Sequence, residues 1–184
     1  VLPDAALEYG NSSGVLADNQ GQWRPGSHTT LVKPAHLKTW AVINLASQRC
    51  SNRGVAAFVS HLSTEMAAQG MQAQQPATIL DGSNYSGNVG GAFDAISSAL
   101  IKRADSAQTQ LVLVVLPAKG SALYRQVKEA AALRGLVTQC VVAPQARIQG
   151  DTANRDVPYL NNLLLKINVK LVRPSSLQCQ CFFK

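Results

Sequence analysis

The sequence predicts an α/β domain: a Rossmann-like sandwich in which a central parallel sheet is flanked by helices. Three observations lead there. The run LVLVVL at 111–116 has no polar alternation, as expected of a strand covered on both faces. From residue 37 onward, short strand-like runs alternate with segments whose apolar residues recur at helical spacing. The connections have the length of crossovers rather than hairpins, which makes neighbouring strands parallel.

Each element follows in order. Residues 1–36 are rich in Gly, Asn, Ser and Pro without a sustained period, and are expected to form an extended linker laid on the domain. The domain itself spans 37–171. Residues 39–46 (TWAVINLA) read as its first strand, and 54–68 as a helix with Val55, Phe58, Val59, Leu62 and Met66 on one face. A short strand at 77–80, a helix at 91–102, the strand at 111–116 and a helix at 121–134 come next. A strand at 137–142 (VTQCVV) and a last helix at 158–171 complete the pattern. Residues 143–157 are polar and contain Pro, Gly and Asn, so a mobile surface loop is expected. The tail 172–184 has neither period nor partner pattern and is expected to be foreign to the domain.

Composition narrows the function. The chain has 184 residues, 46% of them hydrophobic, which suits one domain with a substantial core. No apolar run approaches the roughly 18 residues that span a bilayer, and no secretory leader pattern is present, so no membrane partner and a cytoplasmic location are expected. The chain starts at Val1 rather than Met, and a fragment of a longer protein is expected. Seventeen basic residues against ten acidic ones give a formal charge of +7, which favours an anionic partner. Cys50, Cys140, Cys179 and Cys181 form no CxxC pair and have no HxxxH partner, so neither a zinc site nor a disulfide framework is expected.

Catalysis finds little support. The acids are scattered, no Ser sits in a GxSxG elbow, and Asp81 in LDGS is explained by turn chemistry. The loop after the first strand reads SQRCSNRG rather than GxGxxG, so no dinucleotide cofactor is expected, and no metal either.

Binding finds more. On the last helix Leu160, Leu163, Leu164, Ile167 and Leu171 form a core face, with Asn162, Lys166 and Lys170 as a stripe beside it. Alone, that stripe could be a solvated flank whose lysines complement the helix C-terminal dipole. Lys128 and Tyr124, one turn apart near the start of helix 121–134, and Gln139 inside an aliphatic strand could converge with it at one end of the sheet. Taken singly, Tyr124 could equally be a packing residue and Gln139 a structural hydrogen-bonding group. In open parallel sheets ligands bind beyond the carboxyl ends of the strands, which is where the segment PAKGSALY at 117–124 lies.

The order LP…Y…VK…TQCV…LNNLLLKINVKL resembles the MID domain of eukaryotic Argonaute proteins, and LEYGNS…GQW at 7–23 with LKTWAVINL at 37–45 agrees. The resemblance covers about 7–171. It implies a binding module, not an enzyme, that anchors the 5′-monophosphate and first nucleotide of a small guide RNA beside the PIWI domain of the parent protein. It further implies that Tyr124 stacks on the first base and contacts phosphate through its hydroxyl. Lys128, Gln139 and Lys166 would bind phosphate oxygens, Cys140 would supply its backbone N–H, and Lys170 would lie near the pocket and the following phosphate. Pro117, Ala118, Lys119, Gly120, Ser121, Ala122 and Leu123 match the segment that reads the edge of the first base, and here that segment is a residue longer than in many relatives. A rival expectation is a regulatory or interaction domain whose basic pocket takes free nucleotides or cap-like phosphates.

Overall fold

A computed structural model describes residues 6–16, 30–85, 88–103 and 109–172. The segment predicted as a linker begins instead with an antiparallel hairpin, β1 (Ala6–Tyr9) and β2 (Ser12–Leu16), reversing at Gly10-Asn11. The Gly10 N–H donates to Thr30 O at 2.9 Å, which fastens the hairpin to the chain entering the domain. The rest of 1–36 before residue 30, and the tail from 173 on with Cys179 and Cys181, lie outside the described residues.

Then come β3 (His36–Leu37), β4 (Trp40–Asn44), α1 (Asn52–Ala68), β5 (Gln72–Ala73), β6 (Ile79–Asp81), α2 (Val89–Arg103), β7 (Leu111–Leu116), α3 (Ser121–Ala132), β8 (Thr138–Val142), β9 (Ile148–Gln149), β10 (Thr152–Ala153) and α4 (Val157–Leu171). The main sheet is fully parallel in the order β6-β4-β7-β8. Alternation along the central strands feeds two cores. Trp40, Val42, Leu111, Leu113 and Val115 face α1 and α4, whereas Ala41, Ile43, Val112, Val114 and Leu116 face α2 and α3. That is why β7 tolerates no polar residue: all six of its side chains are buried.

Two features decide where a ligand can sit. At the carboxyl ends of β4 and β7, where the order of strands reverses direction, the chain leaving β4 is bonded back to the sheet and to Asn44. The Leu45 N–H donates to Val115 O at 2.9 Å, and the buried Asn44 amide donates to Cys50 O at 2.9 Å and accepts from the Ala46 N–H at 3.0 Å. The second feature is the segment expected to be a mobile surface loop at 143–157, which is instead tied to α1. Ala143, Ala146 and Ile148 are buried, β9 and β10 form a two-stranded hairpin, and Gly150 bridges to Cys50. Arg155 reaches the buried Glu65 carboxylate of α1, and Asp156 caps α4 by accepting from the Tyr159 N–H at 3.2 Å. Small and apolar residues hidden among polar ones did this, and the polarity of the segment masked them.

Candidate anion-binding site

β8 is an edge strand. Val112 N–H donates to Val137 O and Ala143 N–H donates to Leu116 O, both at 2.9 Å, so residues 137, 139, 141 and 143 turn their backbone groups toward β7. Those of Thr138, Cys140 and Val142 therefore point outward along the open edge. Unpaired edge groups need partners. Here side chains arriving from both faces of the sheet supply them.

Lys128, from α3 on one face, donates through Nζ to Thr138 Oγ1 at 2.8 Å and to Thr138 O at 3.2 Å. Lys170, from α4 on the other face, donates to the same carbonyl at 2.9 Å and to Gln139 Oε1 at 2.6 Å. Gln139, only 8% exposed, completes its bonding by donating Nε2 to Cys140 O at 2.8 Å. One backbone oxygen thus holds two ammonium groups together. Burial first, and then the charge of Lys128, pushes the Lys170 pKa below the ordinary lysine value, with Lys166 adding to the effect and Cys140 opposing it. Burial likewise raises the Cys140 thiol, against the pull of Lys128 and Lys170.

Lys166 lies one turn before Lys170 on α4 and is exposed. Tyr124 is 45% exposed, with its ring centroid 5.6 Å from Lys128 Nζ, close enough for a cation–π contact. Among the described residues no carboxylate lies within ion-pair distance of Lys128, Lys166 or Lys170. Asp94, Asp156 and Glu65 are engaged elsewhere by Arg134, Arg147 and Arg155. Among the described residues the cluster is a concentration of positive charge without a counter-charge, an arrangement chemically suited to an anion.

The structure therefore brings Lys128, Gln139, Cys140 and Lys170 into one cluster, with Tyr124 over it and Lys166 at its rim. Its position corrects the sequence expectation: the cluster lies on the open edge at the amino-terminal half of β8, not beyond the carboxyl ends of the strands. The segment 117–123 does follow the carboxyl end of β7, and Ala118, Lys119, Gly120 and Ala122 are exposed there. Gly120, the N-cap of α3, provides no side-chain cap. Sequence reasoning passed over Thr138, although the TQC triplet that flagged its neighbours contains it. A groove of about 530 Å³ lies near the amino ends of β4 and α1's last turns, lined by His36, Lys38, Ser63, Gln72 and Gln74 among others, and it shows no such convergence of charge.

The fold is a Rossmann-like α/β module that gathers lysines along the edge of its sheet. No protein-family profile matches the chain. It is 32% identical over 179 residues to protein argonaute 4 of Arabidopsis thaliana, and 27% identical over 174 residues to protein argonaute 4A of Oryza sativa subsp. japonica. Each alignment takes in 93% of this chain but only 17% and 18% of those relatives, so the chain spans less than a fifth of their length. In three dimensions it matches the crystal structure of the Arabidopsis thaliana AGO5 MID domain with a TM-score of 0.62 and 22% identity, over 78% of this chain and 94% of that one. Drosophila Piwi matches with a TM-score of 0.65 and 16% identity, over 93% of this chain and 22% of that one. The chain is homologous to Argonaute proteins, and its fold is that of a MID domain.

Proposed function

We propose that this chain is the guide-end binding module of an RNA-silencing protein. It anchors the 5′-monophosphate and first nucleotide of a small RNA, does no chemistry itself, and works beside the PIWI domain of its parent. The observation that carries this reading is the pair of lysines sharing the Thr138 carbonyl with no carboxylate among the described residues to neutralise them. A terminal phosphate carries about −1.5 to −2 charges near neutral pH and offers three acceptor oxygens, against one charge on an internal phosphodiester. Tyr124 adds a flat, exposed ring next to Lys128, suited to a base attached to that phosphate.

Titration of a 5′-phosphorylated oligoribonucleotide, its 5′-hydroxyl twin and free mononucleotides tests the reading. A large loss of affinity on removing the phosphate is expected, together with a log–log salt slope of about −0.7 per neutralised phosphate. Equal binding of the two oligonucleotides would discard the proposal, and mononucleotides binding as tightly as RNA would favour a nucleotide-sensing domain instead.

Tyr124 allows its two roles to be separated. Tyr124→Phe should cost about 0.5–1.5 kcal/mol of binding through the lost hydroxyl, and Tyr124→Ala a further 1–3 kcal/mol or so through lost stacking. The additional alanine loss should vanish with a ligand whose first nucleotide is abasic. Because the ring is exposed, both variants should melt close to wild type. A variant destabilised yet binding normally would return Tyr124 to a packing role.

A further inference from the structure

Thr138 is absent from the set of ligand residues that the resemblance implies, yet more of the cluster's hydrogen bonds end on it than on any other residue there. An ammonium group has three N–H donors. Lys128 gives two of them to Thr138, one to the hydroxyl and one to the carbonyl. Lys170 gives one to the Thr138 carbonyl and one to Gln139 Oε1. Each lysine is left with a single uncommitted donor, and its direction is fixed by the other two. Without the Thr138 hydroxyl, Lys128 would keep only the carbonyl at 3.2 Å, the longest of the four contacts, and its flexible stem would be free to swing toward water.

We infer that Thr138 is a positioning residue: its carbonyl and hydroxyl gather Lys128 and Lys170 from opposite faces of the sheet and aim one N–H of each at a common anion. The inference rests on the phosphate-anchoring reading above. Thr138 is 5% exposed and sits at the start of an edge strand, so it acts through the lysines rather than by offering a surface of its own.

The test is a mutant cycle in the 184-residue chain, read as affinity for a 5′-monophosphorylated oligoribonucleotide and its 5′-hydroxyl twin. Thr138→Val keeps shape and removes the hydroxyl, and it should weaken the phosphorylated ligand by about tenfold while leaving the hydroxyl twin unchanged. Thr138→Ser should restore most of the affinity. In a Lys128→Met background, Thr138→Val should add no further loss, because the side chain it positions is gone. Thr138→Ala, which also lacks the hydroxyl but packs differently, should repeat the valine result whatever its melting temperature.

Wild-type affinity in Thr138→Val, an equal loss for both twins, or a loss that persists undiminished without Lys128 would each overturn the positioning role while leaving phosphate anchoring intact. A wild-type chain that ignores the 5′-phosphate would overturn the anchoring reading and this inference together.

Discussion

Replacing Lys128 and Lys170 together with methionine is expected to lower affinity for a 5′-phosphorylated oligoribonucleotide by about 150- to 20,000-fold, because two charge-assisted contacts worth roughly 1.5–3 kcal/mol each are lost. The fold should lose some stability as well, because the Thr138 carbonyl and hydroxyl and Gln139 Oε1 are left without their donors. Lys170 is held below its ordinary pKa, first by burial and then by Lys128, so its charged form is less favourable in the folded chain than in the unfolded one. The unfolded chain then binds more protons than the folded one across the alkaline window that ends near the lysine value of 10.5, and wild-type stability should rise through it. Anion affinity should fall over the same window, as Lys170 loses its proton. The double variant should stay folded but melt below the wild-type temperature near neutral pH, and lose the Lys170 part of the alkaline rise. Paired melting and binding curves check this, and a variant that binds poorly only because it unfolds would refute it.

Gly54→Ala is expected to destabilise the fold by about 2–3 kcal/mol, lowering the melting temperature by roughly 2–4 °C for each of those. Helix propensity alone predicts the reverse, since alanine is favoured over glycine inside a helix by about 1 kcal/mol. The backbone decides. A Cβ on Gly54 would stand 2.4 Å from Gly150 O, with Thr152 N at 3.2 Å, and neither atom belongs to a side chain that could turn away. Gly120→Ala supplies the contrast: nothing lies within 4 Å of its Cβ position and its backbone is extended, so it should be neutral for stability. Melting both variants separates the two glycines, and equal behaviour would remove the close approach of α1 to the β9–β10 hairpin from the account.

The contrast also shows what the sequence could reveal. Helices α1 and α4 and strand β7 were legible because each repeats its apolar pattern over enough residues to fix a period. The pairs β3–β5 and β9–β10 were not, since strands of two residues have no period and exist through contacts distant in the chain. Within the site, helical spacing put Lys166 and Lys170 in one stripe but could not say that Lys170 bends to the edge carbonyl of Thr138 while Lys166 stays at the rim. The TQC and KINVK segments became a site through their resemblance to a family and through the edge position of β8. Spacing alone would have left a solvated flank standing. Thr138 escaped because a threonine opening a β-branched strand looks like ordinary strand composition.

The open edge of β8 also bears on how the chain behaves among its own copies. Thr138–Val142 is a short strand whose Thr138, Cys140 and Val142 backbone groups point outward, the kind of border onto which a second polypeptide can add a strand. Two ammonium groups seated on that border give any approaching copy the same charge to meet, and they already occupy the carbonyl such a strand would need. Loss of those charges, by substitution or by lysine acetylation, would thus expose a surface for self-association. The chain should stay dispersed at concentrations where its neutralised form gathers into oligomers, so that the same two side chains that close the edge also keep copies apart.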